Sequence, residues 1–123
     1  MLSLDMGQEI FGCAKLRRNV ISPRKLRMVV DLIRMKNVQD AICILDLNKK
    51  KCAQIVKKLL LSAVSNWETK VMNGNCNNQN SDGLVISKIY VNGAGSLRRF
   101  RPAARGCGCR ILRRTSNVYV EVS

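Results

Sequence analysis

Apolar and polar residues change their spacing along the chain, and each change marks an element. Between Ala14 and Val20 the apolar Ala14, Leu16 and Val20 alternate with Lys15, Arg17 and Asn19, the period-two pattern of a half-buried strand with a basic outer face. Ser22 before Pro23 reads as an N-cap with proline at the first helical position, where the missing N–H costs nothing. Leu26, Val29, Val30 and Ile33 then recur at helical spacing and define a core stripe. Asn37 separates this helix from a short second one carrying Val38, Ala41, Ile42 and Leu45. Asn48 is expected to cap a third, longest helix, whose stripe runs through Cys52, Ile55, Val56, Leu59, Leu60, Ala63, Val64 and Trp67 with Lys50, Lys57 and Lys58 opposite. Because Trp67 continues that stripe, it reads as a core anchor rather than a base-stacking platform.

Asn, Gly and Ser dominate from Asn73 to Gly83, a polar connection rather than a domain boundary. Beyond it Leu84–Val91 is β-rich, and Val118, Val120 and Val122 alternate with Asn117, Tyr119 and Glu121 in a terminal strand. The pattern predicts an α+β fold, three helices packed on a small antiparallel sheet. No internal repeat is present.

Charge narrows what such a domain does. The 123 residues suffice for one modest core, and 22 Lys and Arg against 8 Asp and Glu leave a formal charge of +14, a surface that seeks a polyanion. The most apolar stretch, Ile55–Val64, is interrupted by Lys57 and Lys58, so no membrane span is expected. The first residues carry Asp5 and Glu9 and lack the marks of a signal or transit peptide, which sets the expected address as cytoplasmic. The six cysteines, Cys13, Cys43, Cys52, Cys76, Cys107 and Cys109, include no CxxC pair, and the chain has no His. They are expected to be reduced thiols, with no metal and no cofactor.

Two basic features stand out. Arg24, Lys25 and Arg27 sit at the start of the first helix, where cations oppose the macrodipole by up to about 1 kcal/mol each. A solvated helix face is one explanation and a phosphate-contact surface, extended by Lys15, Arg17, Arg18 and Ser22, is the other; the placement against the dipole favours the second. From Leu97 to Arg114 there are seven arginines (Arg98, Arg99, Arg101, Arg105, Arg110, Arg113, Arg114), no lysine and no acid. The centre, Ala103-Ala104-Arg105-Gly106-Cys107-Gly108, suits a hairpin tip. Its flanks, Leu97–Pro102 and Cys109–Arg114, are expected to pair as a protruding β-hairpin over about residues 96–114. Such a ribbon is marginal in water and makes sense inserted among anions. Guanidinium groups suit burial in RNA because they bind phosphate bidentately and stack on bases. Phe100, Ile111 and Leu112 offer cross-strand contacts that a disordered basic loop would not need.

The chain resembles the bacterial-type ribosomal protein twenty-two family of the large subunit, from about Ala14 to Val122. The resemblance rests on Ser22-Pro23-Arg24-Lys25-Leu26-Arg27 with Val29-Val30-Asp31-Leu32-Ile33-Arg34, on Leu61-Ser62-Ala63 leading to Asn66-Trp67-Glu68, and on Arg110-Ile111-Leu112-Arg113-Arg114-Thr115-Ser116 with Pro102 and Gly106. It implies a body on the surface of the large subunit and a hairpin, Leu97, Arg98, Arg99, Phe100, Pro102, Ala103, Ala104, Arg105, Gly106, Cys107 and Gly108, that reaches through large-subunit rRNA to line the nascent-peptide exit tunnel. The implied partners are that rRNA, neighbouring proteins including ribosomal protein four, and the nascent peptide in transit. Self-association is not implied. Residues 1–13 would be an N-terminal extension to a single rRNA-binding domain, 14–123. Ala103 and Cys107 stand where the family usually carries basic residues.

Rival classes fare less well. Without His, and with no acid between Gly83 and Val120, the arm offers no general base or carboxylate pair, so an enzyme is not expected. A membrane-active peptide would need a separate apolar face, which the basic segment lacks. A DNA-binding architectural protein using its basic β-ribbon, with Phe100 or Pro102 as wedge, is the alternative that composition leaves open.

Overall fold

The computed structural model describes residues 10–73 and 83–123; Cys76 and most of the polar connection lie outside them. The elements are β1 (Gly12–Asn19), α1 (Pro23–Val30), α2 (Val38–Leu47), α3 (Lys51–Asn73), β2 (Ile86–Pro102) and β3 (Gly108–Val122). The strands form one antiparallel sheet in the order β1-β3-β2. α3 lies against β1 and β3, α1 against β2, and α2 against α3, which is the α+β architecture the spacing predicts.

Period-two burial builds the sheet side of the core from Ala14, Ile89, Val91, Val118, Val120 and Val122, with Ile86 at the start of β2. The helix side comes from the stripes read in the sequence, including Leu26, Val29, Val30, Val56, Leu60, Ala63 and Trp67. Ile42, Ile55 and Val64 are half-buried at its margin. α1 ends before Ile33, yet Ile33 is fully buried. Amide bonds from Leu32 to Val29 and from Ile33 to Val30 tighten the chain after the helix and hold that side chain in register with the stripe.

Local details differ from expectation at three places. β1 begins at Gly12 and ends at Asn19, leaving Val20 exposed, because Arg17 and Arg18 together oppose the single residue Asn117 in a bulge. Asn48 does not cap α3: it ends α2, and its side-chain oxygen accepts the Lys50 amide (3.1 Å). The hairpin flanks are not separate strands but continuations of β2 and β3, since pairing runs unbroken in sense from Ile86↔Val122 to Pro102↔Gly108.

The outer edge of β1 is stitched to α3 by polar side chains. Asn66 donates to the Cys13 carbonyl (2.9 Å) and Lys70 to the Phe11 carbonyl (2.8 Å), protecting the edge from further pairing. Gly12 lies where β1 meets α3. A Cβ there would collide with the Trp67 Cβ and crowd the Ala63 carbonyl. Gly12→Ala is therefore expected to destabilise the fold by about 1–3 kcal/mol through overpacking, whereas Gly93→Ala, at a position with open space around it, should shift stability by no more than about 0.5 kcal/mol. Thermal unfolding of the two variants checks this, and equal midpoints would contradict the packing argument.

Candidate nucleic-acid interface

The basic side chains singled out in the sequence are exposed, but the fold distributes them over two recesses and an arm. Ser22, Pro23, Arg24 and Arg27 at the start of α1 line an open recess of about 490 Å³ together with Arg114 of β3. Long-range pairing thus brings the last arginine of the arm beside the first helix, a neighbour the sequence order does not reveal. Ser22 accepts the Lys25 and Leu26 amides through its backbone carbonyl and makes no side-chain cap bond. Arg27 donates two bonds to the Val91 carbonyl (3.3 and 3.1 Å), fixing α1 against β2. A guanidinium has five N–H donors, so three remain for an anion in the recess. Lys25 is exposed beside it.

Lys15 and Arg17 lie elsewhere. They line a recess of about 200 Å³ on the sheet face away from the helices, with Tyr90, Asn92, Asn117 and Tyr119. Arg18 takes a left-handed backbone (φ 52°) and donates its amide to the Asn117 side-chain oxygen (2.8 Å).

Along the arm every residue from Gly95 to Arg114 is exposed. The register places Leu97 opposite Arg113, Arg98 opposite Leu112, Arg99 opposite Ile111, Phe100 opposite Arg110, and Arg101 opposite Cys109. Every paired arginine thus faces an apolar or thiol side chain. No two guanidinium groups stand directly across from each other, which avoids like-charge repulsion and supplies each with an apolar surface to lie along. Both faces of the ribbon carry arginine, so it can be gripped from two sides. At the junction with the body, Gly95 and Ser96 bulge against Arg114, and the Thr115 hydroxyl donates to the Gly95 carbonyl while Ser116, fully buried, donates to the Ile21 carbonyl (2.8 Å). Thr115 and Ser116 anchor the arm to the body; in the sequence they stood out only as the end of the motif that carries the family resemblance, with no sign of this role.

The tip is a short turn over Ala104–Gly106, with Arg105 (φ 58°) and Gly106 (φ 71°) left-handed. The Ala103 amide donates to the Cys107 carbonyl (2.8 Å) and closes it. Cys107 and Cys109 are exposed free thiols. Among the described residues the ion pairs are Arg34–Asp31, Lys57–Asp46 and Lys88–Glu121, none of them on the arm, and no cluster of three or more side chains suits a metal ion.

Tyr119 is the group whose titration departs most clearly from the ordinary. Burial of the phenol, then the hydrogen bond it donates to the Glu121 carboxylate (3.0 Å) and that carboxylate's charge, push its pKa up to about 12. An unfolded tyrosine titrates near about 10, so the folded state holds this proton more tightly. The resulting stability is complete below about pH 10 and is lost as pH rises from there to about 12. An alkaline titration of phenolate absorbance should show a transition near pH 12 that Tyr119→Phe removes. Ionisation of Tyr119 near 10 would contradict the assignment.

The family model described as Ribosomal protein L22p/L17e matches residues 14–123. The chain is similar to the protein named large ribosomal subunit protein uL22 of Caldicellulosiruptor saccharolyticus, 48% identical over 107 residues that cover 87% of this chain and 83% of the relative. It is also similar to the protein of that name from Lactobacillus delbrueckii subsp. bulgaricus, 43% identical over 119 residues covering 96% and 97%, and to that of Staphylococcus aureus, 42% identical over 103 residues covering 84% and 83%. With nearly the whole described fold inside the match, the chain belongs to the ribosomal protein L22p/L17e family, whose members are structural rather than enzymatic.

Proposed function

We propose that the chain is a structural constituent of the large ribosomal subunit in the cytoplasm, that it binds large-subunit rRNA and aids its assembly, and that its extended hairpin lines the nascent-peptide exit tunnel. Family membership supports the first part. The observation that carries the rest is the arm, a paired ribbon with arginines on both faces, no acid in its sequence and no ion-pair partner among the described residues. Such a ribbon is stable where phosphates supply the counter-charge.

In this reading the body docks by phosphate contacts through Arg24, Lys25, Arg27 and Arg114 at the α1 recess and through Lys15, Arg17 and Arg18 on β1. These contacts position the protein without reading sequence. The arm's Arg98, Arg99, Arg101, Arg105, Arg110 and Arg113 neutralise rRNA packed along both faces, and the tip from Pro102 to Gly108 borders the path of the nascent peptide. Ribosomal protein four is the neighbouring protein at that wall.

Affinity for a large-subunit rRNA fragment should fall with salt, with a log–log slope of about −0.7 to −0.9 per phosphate neutralised. Replacing Arg24 and Lys25 by Gln should reduce that slope by about one to two units; an unchanged slope would remove these side chains from the interface. Deleting Arg98 through Arg110 removes only exposed residues, so little apolar burial is lost. The shortened chain should unfold at nearly the same temperature and still co-sediment with the large subunit on a sucrose gradient, with an altered tunnel wall. Loss of the folded body on deletion would show that the arm belongs to the core.

A further inference from the structure

The face of the sheet turned away from the helices carries a row of side chains that neither the core nor the arm requires. Lys15, Tyr119 and Tyr90 lie directly across from one another on β1, β3 and β2. The Lys15 ammonium sits 5.3 Å from the centre of the Tyr119 ring, and the Tyr90 and Tyr119 rings stack with centroids 4.9 Å apart and planes inclined by 24°. Tyr119 is held from three directions, by Lys15, by Tyr90 and by its bond to Glu121. Tyr90 is 46% exposed. The neighbouring row on the same face is Arg17, then Asn117, then Asn92. The two rows form the recess of about 200 Å³.

Cross-strand stacking alone would explain two tyrosines facing each other, and contributes roughly 0.2–1 kcal/mol to a sheet. It does not explain why the pair sits among cations and carboxamides in an open recess. The Tyr90 ring is stacked on the Tyr119 ring that these contacts fix, so it has less side-chain freedom to lose when a second flat ring stacks on its exposed side. Unpaired nucleobases are recognised in this way, stacked on aromatic side chains with their edges hydrogen-bonded. The Asn117 oxygen is occupied by the Arg18 amide, which leaves its NH₂ to donate, and the Asn92 carboxamide is exposed beside it. Among the described residues the acid beside the row, Glu121, is 8% exposed and neutralised by Lys88 at 3.5 Å, so the rim facing a ligand is cationic.

We infer that the outer sheet face holds an unpaired RNA base stacked on the exposed Tyr90 ring, with Asn92 and Asn117 at its edge and Lys15 and Arg17 on the flanking phosphates. The inference rests on the rRNA-binding reading above and adds to it a site for single-stranded nucleotides, distinct from the α1 recess and the arm. The site recognises unpaired bases, because a base inside a duplex has no free face to offer the ring.

The test uses the full chain with two RNA probes of equal length, one single-stranded and one a closed duplex hairpin. Tyr90→Ser should weaken single-strand binding roughly ten-fold or more, as loss of a base–aromatic stack does, and leave duplex binding and its salt slope unchanged. Tyr90→Phe should keep the single-strand affinity. The Tyr90 ring protons, followed by NMR in the unaltered chain, should move upfield on adding the single strand and not on adding the duplex. Since Tyr90 lies on the far side of the sheet from the core, thermal unfolding should find both variants folded; an unfolded Tyr90→Ser leaves the decision to the NMR shift. Equal single-strand binding by a folded Tyr90→Ser chain, or tyrosine signals that respond to an acidic polypeptide and not to RNA, overturns the site while the rRNA-binding reading stands. Failure of the unaltered chain to bind either probe would instead defeat that broader reading.

Discussion

The antiparallel pairing of β2 with β3 extends far beyond the core that one end of it helps to build, and the rest of the molecule is arranged around that fact. From Ile86↔Val122 to about Gly93↔Ser116 the two strands are one side of a buried layer, with β1 as a third strand and the helices over one face. Past the bulge at Gly95 and Ser96 the same pair of strands continues with every residue exposed. At about 3.3 Å per residue, Gly95 to Pro102 projects roughly 25 Å. The body therefore acts as a clamp that fixes register for a ribbon unable to fix it by burial. Thr115 and Ser116 are the side chains through which the clamp closes.

Electrostatics then decides what the ribbon is fit for. Pairing Arg98, Arg99, Arg101, Arg110 and Arg113 with Leu, Ile, Phe or Cys across the strands removes direct repulsion between them but leaves the arm's total charge without internal compensation. The body follows the same economy. Arg27 is shared between holding α1 to the Val91 carbonyl and facing the recess that Arg24 and Arg114 also line. The cations of β1, in contrast, open onto an aromatic and carboxamide surface. One highly basic chain thus presents chemically different faces, one of guanidinium groups around a helix start and one with flat rings.

Much of this architecture was legible in the chain. Helical spacing identified the buried stripes of α1, α2 and α3, including Trp67 as an anchor, and alternation identified Val118, Val120 and Val122. The arm was legible because a basic, acid-free segment has small residues at its centre and Phe100, Ile111 and Leu112 on its flanks, where cross-strand contacts would use them and a disordered loop would not. Ends of elements were less so. A bulge at Arg17 and Arg18 and the placement of Asn48 between helices depend on what lies across from them, and local pattern carries no record of that.

Periodicity, charge and the small residues of the tip, all properties of neighbours along the chain, determined the fold class, the core stripes and the exposed basic hairpin. Tertiary structure decided which distant residues meet. It set Arg114 beside Arg24 and Arg27, placed Asn66 and Lys70 on the edge of β1, and ranked Lys15, Tyr119 and Tyr90 across three strands. Strand order and register made those choices, because a shift of one residue turns every side chain to the opposite face of the sheet.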